Sequence, residues 1–290
     1  ALNRFLNEEI RVVLDEINAA TTEYCDAEDL TRKTFLHFFY NWSSSRIKDF
    51  IYESGETECY PPPSVGLGDF IEMSIYRDNA LPYFIVAMTP TIRIGDVYLG
   101  VDKIAHFFGF GRRYYIRYSR LRKRGLDERE AIERLVGRGI LQEKMYFGRI
   151  SSGIFSHADL EANYQGFCLA RDLCSGEEPY IVRESARWVL SRPVDLRDYV
   201  TPDFDESYNQ CAYWPWRLRK VAPVLTRQYA DITMRPNVQA RMARYAASPP
   251  SLSKQLIEEA SKTWRRAPKR IALPVAQNAP SMHARSQDAR

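Results

Sequence analysis

Apolar residues recur every three or four positions through most of this 290-residue sequence, and this periodicity favours a mainly helical fold. The longest repeat covers residues 2–24 and predicts an amphipathic helix. Further helices are predicted over about residues 101–124 and from the N-cap residue Asp127 to Tyr146. Hydrophobic residues make up 45 % of the chain and charged residues 27 %, which is sufficient for an ordinary globular core.

These elements predict one multi-helix, bundle-like domain over residues 1–265, with a core motif region at residues 96–175. Glycine and serine residues interrupt the helical pattern near residues 148–156 and predict a small β-hairpin or an irregular loop. The sequence of residues 180–190 predicts a further helix. Residues 266–290 lose both periodicity and aromatic side chains, which is typical of a disordered tail.

The charge distribution limits the classes of partner. The 41 basic and 37 acidic residues give a net charge of +4, so we expect no nucleic-acid partner. Seven basic residues nevertheless lie between Arg112 and Arg124. A solvated helix face is the simpler interpretation of this run, and contact with an anionic membrane surface is the alternative. No apolar run approaches the roughly 20 residues that span a bilayer.

Two predicted helices each carry a polar pair spaced four residues apart. Because residues i and i+4 share a helix face, Asp102 projects with His106, and Asp159 projects with Asn163. Glu143 lies near the end of the helix between them. If these helices pack around one cleft, three carboxylates, an imidazole and an amide converge there.

Such a cluster is compatible with two kinds of chemistry. A divalent metal could be bound by Asp102, His106, Glu143 and Asp159, as in helical bundles with inward-facing Glu and His. Alternatively, Glu143 acts as a general acid whose pKa is raised by burial, and Asp159 is the second carboxylate. A purely structural cluster, in which Asp159 only caps its helix, is the third interpretation.

The order of these residues resembles a known pattern. Asp102-Lys103-x-x-His106, then Glu143, then Ser156-x-x-Asp159-x-x-x-Asn163-x-x-Gly166, is similar to the pattern of the VanZ-like family and the related YfiM-like envelope lipoproteins. Gly148-Arg149 resembles the Gly-Arg that precedes the last motif in VanZ-like proteins. The resemblance covers residues 102–166 only. It implies a helical core, a bacterial cell-envelope or periplasmic location, and one site formed by the shared polar residues.

We therefore expect a cell-envelope hydrolase that acts on a cell-wall glycan or a lipid-linked substrate. The candidate catalytic residues are Glu143, Asp159, His106 and Asp102. The candidate substrate-binding residues are Asn163, Lys103, Arg149 and His157. The alternative is a non-catalytic envelope scaffold or interaction protein, whose polar cluster only ties three helices together.

Overall fold

The computed structural model describes residues 1–20, 25–41, 44–77 and 88–272, and the structural statements below concern these ranges. The fold is mainly helical, as the sequence predicts, with helices covering 60 % of the described residues and small two-stranded antiparallel sheets beside them. Among the described residues, no helix has both the length and the hydrophobicity needed to cross a bilayer.

The described residues of the N-terminal part, 1–20, 25–41, 44–77 and 88–100, form four helices and a hairpin. The helices are α1 (Leu2–Ala19), α2 (Ala27–Phe38), α3 (Arg46–Glu53) and α4 (Leu67–Met73), and the hairpin strands are β1 (Thr91–Ile94) and β2 (Val97–Gly100). The hairpin leads directly into helix α5, which comprises Val101–Ala105, a wider π-type turn at His106–Phe110, and Gly111–Lys123. The first turn of α5 therefore begins at the end of a strand.

The central part adds two helices that pack beside α5. Helix α6 comprises Glu128–Gln142 and continues as a π-type segment through Glu143–Ser152, and α7 covers His157–Asp172. The remaining strands are β3 (Ile154–Phe155), β4 (Ile181–Glu184), β5 (Arg187–Leu190) and β6 (Ala212–Tyr213). The remaining α-helices are α8 (Pro215–Val224), α9 (Ala230–Thr233), α10 (Pro236–Ala246) and α11 (Leu252–Ser261).

Helices α5 and α7 approach each other closely because glycines lie where they cross. A Cβ atom on Gly111 would lie 2.6 Å from the Gly166 carbonyl carbon, and a Cβ on Gly166 would overlap the Phe107 carbonyl oxygen. Both helices contribute to two of the three hydrophobic clusters found among the described residues: Phe107 and Ala162 to the largest, Tyr114 and Leu160 to the second. The polar side chains of α5 and α7 consequently face each other across the contact between the two helices.

The local structure differs from the sequence prediction in three places. Residues 143–152 remain helical with a wide turn, and β3 pairs with the distant β6, so no local hairpin forms at residues 148–156. The predicted helix at residues 180–190 is the β4–β5 hairpin. Residues 266–272 are not a disordered tail, because Lys269 pairs with the Tyr213 backbone in both directions at 2.8 Å. Residues 273–290 lie outside the described ranges.

Candidate functional site

Lys103 is the centre of the polar cluster. Its Nζ lies 2.7 Å from Asp102 Oδ2, 2.7 Å from Asp159 Oδ1 and 2.8 Å from Glu206 Oε1, and its side chain is only 3 % exposed. Burial opposes its charge, but the surrounding carboxylates outweigh burial and raise the pKa of Lys103 well above its usual range. The side chain is therefore a buried ammonium ion that neutralises part of a three-carboxylate group.

Asp102 is held in place by the segment before the hairpin. Thr89 Oγ1 donates a hydrogen bond to Asp102 Oδ1 at 3.0 Å and accepts one from the Asp102 backbone N–H at 3.0 Å. Gly100 immediately before the helix leaves room for the carboxylate, because a Cβ at that position would overlap Asp102 Oδ1. The first turn of α5 thus presents Asp102 and Lys103 in fixed positions.

His106 is constrained on both edges and on one face. Its Nδ1 lies 3.0 Å from Asn163 Oδ1, and its Nε2 lies 3.4 Å from Asp159 Oδ2. The Phe110 ring stacks on it with a centroid separation of 5.0 Å and an interplanar angle of 13°. With the Asn163 amide oxygen as the acceptor, this hydrogen bond requires a proton on Nδ1, and Nε2 then faces the Asp159 carboxylate.

Glu143 and Asp159 both contact Ser156, but their pKa values are shifted in opposite directions. Glu143 is 5 % exposed and accepts a 3.0 Å hydrogen bond from the Ser156 N–H. Burial, reinforced by the charge of Asp159, raises the pKa of Glu143 well above its usual range. Burial also opposes ionisation of Asp159, but the charges of His106 and Lys103 and hydrogen bonds from Lys103 and Ser156 lower its pKa. The environment therefore favours the protonated form of Glu143 and the ionised form of Asp159.

The carboxylate side of the cluster reaches solvent. The Glu206 side chain is 41 % exposed, whereas those of Asp102 and Asp159 are 21 % and 16 % exposed. Ser156 Oγ donates a 3.1 Å hydrogen bond to Glu206 Oε1 and accepts one from the Asp159 N–H, also at 3.1 Å. A polar path therefore runs from the protein surface at Glu206 through Ser156 to the buried carboxyls.

The structure brings most of the predicted site residues together. The cluster contains Asp102, Lys103, His106, Glu143, Asp159 and Asn163. His157 is not among its contacts: it is half-buried and lies edge-on against Phe155, and desolvation together with the charge of Arg270 lowers its pKa to about 3. The backbone of Arg149 belongs to the π-type segment, and its side chain is outside the described part of the chain.

Two members of the cluster were not predicted from the sequence. Glu206 follows the short 3₁₀ helix Pro202–Phe204, in a region without helical periodicity, so no spacing rule connects it to Lys103. Thr89 lies in an irregular stretch just before β1, so it too has no helical or strand period. The acidic run around Glu206 is the only available sequence signal, and it is equally typical of a solvated loop.

The donor set does not fit a divalent metal. In the part of the chain that the structure describes, no group of three or more His, Cys, Asp and Glu side chains is arranged to hold one. The Lys103 ammonium already occupies the position between Asp102, Asp159 and Glu206 where a cation would be attracted. Burial of Glu143 favours its protonated form, whereas a metal ligand must be deprotonated. The predicted metal site formed by Asp102, His106, Glu143 and Asp159 is therefore not supported.

Comparison of the chain with protein-family models, with curated proteins and with solved structures found no match to any of them. The functional argument consequently depends on the geometry of the cluster.

Proposed function

We propose that the cluster is the active site of a cell-envelope hydrolase that uses acid–base chemistry on a cell-wall glycan or lipid-linked substrate. The observation that carries this proposal is the opposite pKa shift of two neighbouring carboxyl groups, Glu143 upward and Asp159 downward. Pairs of titratable groups whose environments separate their pKa values are typical of acid–base active sites.

In this proposal Glu143 is the general acid and Asp159 the general base. Glu143 Oε1 accepts the Ser156 N–H, so Oε2 carries the proton that is donated to the leaving oxygen. Asp159 takes a proton from the attacking water as the water oxygen bonds to the electrophilic atom of the substrate and the bond to the leaving oxygen breaks. Lys103 keeps Asp159 ionised before the reaction, and Asn163 fixes the His106 ring against Asp159. Substrate enters from the Glu206 side.

The resemblance of residues 102–166 to VanZ-like and YfiM-like envelope proteins supports an envelope location and supports treating these residues as one site. A second candidate function is favoured by the deep burial of Lys103 and Glu143. In that alternative the chain is a non-catalytic envelope scaffold, and the cluster only locks α5 to α7 and to the Glu206 segment.

Substitution of Glu143 by Gln distinguishes the two functions. Gln keeps the shape and the acceptor oxygen for Ser156 but cannot donate an acid proton. We expect hydrolysis of labelled peptidoglycan or of a lipid-linked glycan to fall by roughly 10²–10⁴-fold, the usual contribution of a general acid. The melting temperature at pH 7 should not decrease.

The matched control is Glu133→Gln, a 43 % exposed carboxylate on the same helix that pairs with Arg129. This variant should retain full activity. A wild-type protein inactive on both substrate classes, together with a large loss of stability in Glu143→Gln, would instead favour the scaffold.

A further inference from the structure

A groove of about 380 Å³ lies between α5 and α6, and five arginines line it. We call it the arginine groove; its arginines are Arg113, Arg117, Arg120, Arg124 and Arg138. Four belong to the basic run that the sequence shows, but Arg138 comes from α6 and faces them across the groove. The basic run is therefore more than a uniformly solvated helix face, because two helices direct positive charge into one concavity.

The arginines of this groove lack compensating acids. Within the described ranges, none of the five is within ion-pair distance of a carboxylate, whereas Arg129 and Arg134 on α6 pair with Glu133 at 2.9 Å and with Glu130 at 2.7 Å. Partial burial and the charges of Arg138 and Arg124 lower the pKa of Arg117. Mutual repulsion among unpaired guanidinium groups is relieved by a bound anion.

The floor of the groove is apolar. Phe110, Tyr114, Leu121 and Leu135 also line it, and the last three of these side chains are buried. A ligand that fills this site therefore needs both an anionic group and an apolar portion. Arginine forks match phosphate oxygens bidentately, so a phosphate is the anion that this arrangement suits best.

The floor also connects the groove to the polar cluster. Phe110 lines the groove, and its ring also stacks on the His106 ring with a centroid separation of 5.0 Å. Tyr114 also lines the groove, and Asn163 is close enough to its buried hydroxyl to oppose the rise in the Tyr114 pKa that burial causes. The two side chains that position each other in the cluster, His106 and Asn163, are thus each one aromatic residue away from the groove.

We propose that the arginine groove binds the phosphomonoester or pyrophosphate group of an amphiphilic ligand. This deepens the proposed function, on which it rests, because it makes the substrate a phosphate-bearing, lipid-linked molecule whose anionic group is anchored beside the catalytic cluster. Anchoring of a part that does not react is a common use of binding energy in catalysis.

Binding without turnover tests the groove directly. The probes are inorganic pyrophosphate, followed by calorimetry at physiological ionic strength, and vesicles of neutral lipid doped with phosphatidic acid or phosphatidylglycerol. The groove variant is Arg117→Gln/Arg138→Gln. The control is Arg129→Gln/Arg134→Gln, which removes the same charge from the surface of α6 but leaves the groove intact.

We expect wild type and control to bind pyrophosphate and the groove variant to bind on the order of 100-fold more weakly, about tenfold for each charge-assisted contact removed. Binding of phosphatidic acid vesicles alone, again lost only in the groove variant, supports the proposal and identifies the lipid as the required form. Three results would overturn it: no binding of either probe, equal weakening in the control, or equal binding of phosphatidylglycerol, which would indicate adsorption to any anionic membrane.

Glu143→Gln separates this inference from the proposed function. The variant should bind pyrophosphate or phosphatidic acid as wild type does while it loses hydrolysis. Absence of binding in a wild type that hydrolyses its substrate would refute the groove alone. Normal binding in a protein that hydrolyses nothing would refute the hydrolase and leave the groove as a ligand site.

Discussion

At the scale of single residues, Lys103 changes the chemistry that the cluster can perform. The three carboxylates around it resemble a cation site, and the cation is a side chain of the chain itself. A lysine buried among carboxylates stays charged because desolvation is offset by attraction. This arrangement favours the ionised form of Asp159, whereas Glu143, which is not among the carboxylates that contact Lys103, has a raised pKa.

The raised pKa of Glu143 predicts how stability depends on pH. In the unfolded chain Glu143 ionises near its ordinary pKa of about 4.3, whereas in the folded protein it stays protonated to a higher pH. Glu143 therefore contributes fully to the free energy of unfolding below about pH 4, and this contribution is lost as the pH rises toward the folded-state pKa. Because glutamine does not ionise, the Glu143→Gln variant does not lose this part of its free energy of unfolding as the pH rises.

We expect the free energies of unfolding of wild type and Glu143→Gln, measured by urea denaturation, to be similar near pH 4. The variant should become progressively more stable than wild type as the pH rises to 8. Asp159 contributes in the opposite direction in both proteins, because its pKa is lowered, and so cancels in the comparison. Parallel curves over this range would contradict a protonated Glu143.

Helical spacing predicts the parts of this site that lie on helices. Asp102 and His106, and Asp159 and Asn163, share faces because they are four residues apart, and the two faces meet as expected. Lys103 follows Asp102 directly and so projects about 100° away from it on a helix, but its long side chain reaches back to the carboxylate at 2.7 Å. Glu206 could not be found in this way, since an irregular segment has no period to extrapolate.

At the scale of elements, the packing of α5 against α6 depends on one glycine. A Cβ on Gly139 would overlap the Tyr114 hydroxyl and lie 3.3 Å from Leu160 Cδ2, whereas a Cβ on Gly137 would meet nothing within 4 Å. Both glycines interrupt the same helix, and the sequence alone gives them the same two interpretations: local weakening or close approach. The structure assigns close approach to Gly139 only.

Alanine substitution of the two glycines should therefore change stability in opposite directions. Gly139→Ala forces Tyr114 out of its site and should lower the free energy of unfolding by about 1–3 kcal/mol, the usual cost of overpacking. Gly137→Ala, on an exposed face, should raise it by roughly 0.5–1 kcal/mol because alanine has the higher helix propensity. Urea denaturation of both variants measures this. Recovery of stability in Gly139→Ala/Tyr114→Phe would confirm the cause, and equal effects of both single changes would contradict it.

The β4–β5 hairpin shows why one element was assigned to the wrong class. Its two turn residues, Ser185 and Ala186, have φ values of 47° and 71°. Two-residue hairpin turns with positive φ usually contain Asn or Gly, which adopt this conformation with little strain. Because Ser and Ala give no such signal, residues 180–190 resemble a short helix in sequence, and only tertiary packing selects the strands.

At the scale of the whole molecule, α1 connects the N-terminus to segments nearly 190 residues away. Asn7 Nδ2 donates to the Val194 carbonyl at 2.8 Å, and the Val194 N–H donates to Asn7 Oδ1 at 2.7 Å. Asn18 makes the same double contact with the backbone of Trp188, at 2.8 Å in both directions. The larger hydrophobic cluster likewise extends from Leu6 to Tyr245. Contacts of this span are expected of a single cooperative domain, the organisation predicted for residues 1–265.

Substitution of Asn7 tests this cooperativity because Asn7 is 7 % exposed and serves two backbone groups. Asn7→Ala leaves the Val194 N–H and carbonyl buried without these partners, which should cost about 1–3 kcal/mol for each unsatisfied group. In a single cooperative domain all elements unfold together, so this loss of free energy destabilises every one of them. Tryptophan fluorescence and far-UV circular dichroism should then report one coincident unfolding transition in wild type, and both should shift together in the variant.

The exposed substitution Asn237→Ala on α10 is the control and should leave the transition unchanged. If the chain instead contains independent units, Asn7→Ala would move only part of the signal and the two probes would separate.

Whether the chain unfolds as one unit also affects the polar cluster. Its residues come from α5, α6, α7 and the Glu206 segment, so its geometry depends on whether those elements unfold as one. A coincident transition would mean that a distant change at Asn7 lowers the occupancy of the intact cluster in proportion to the unfolded fraction.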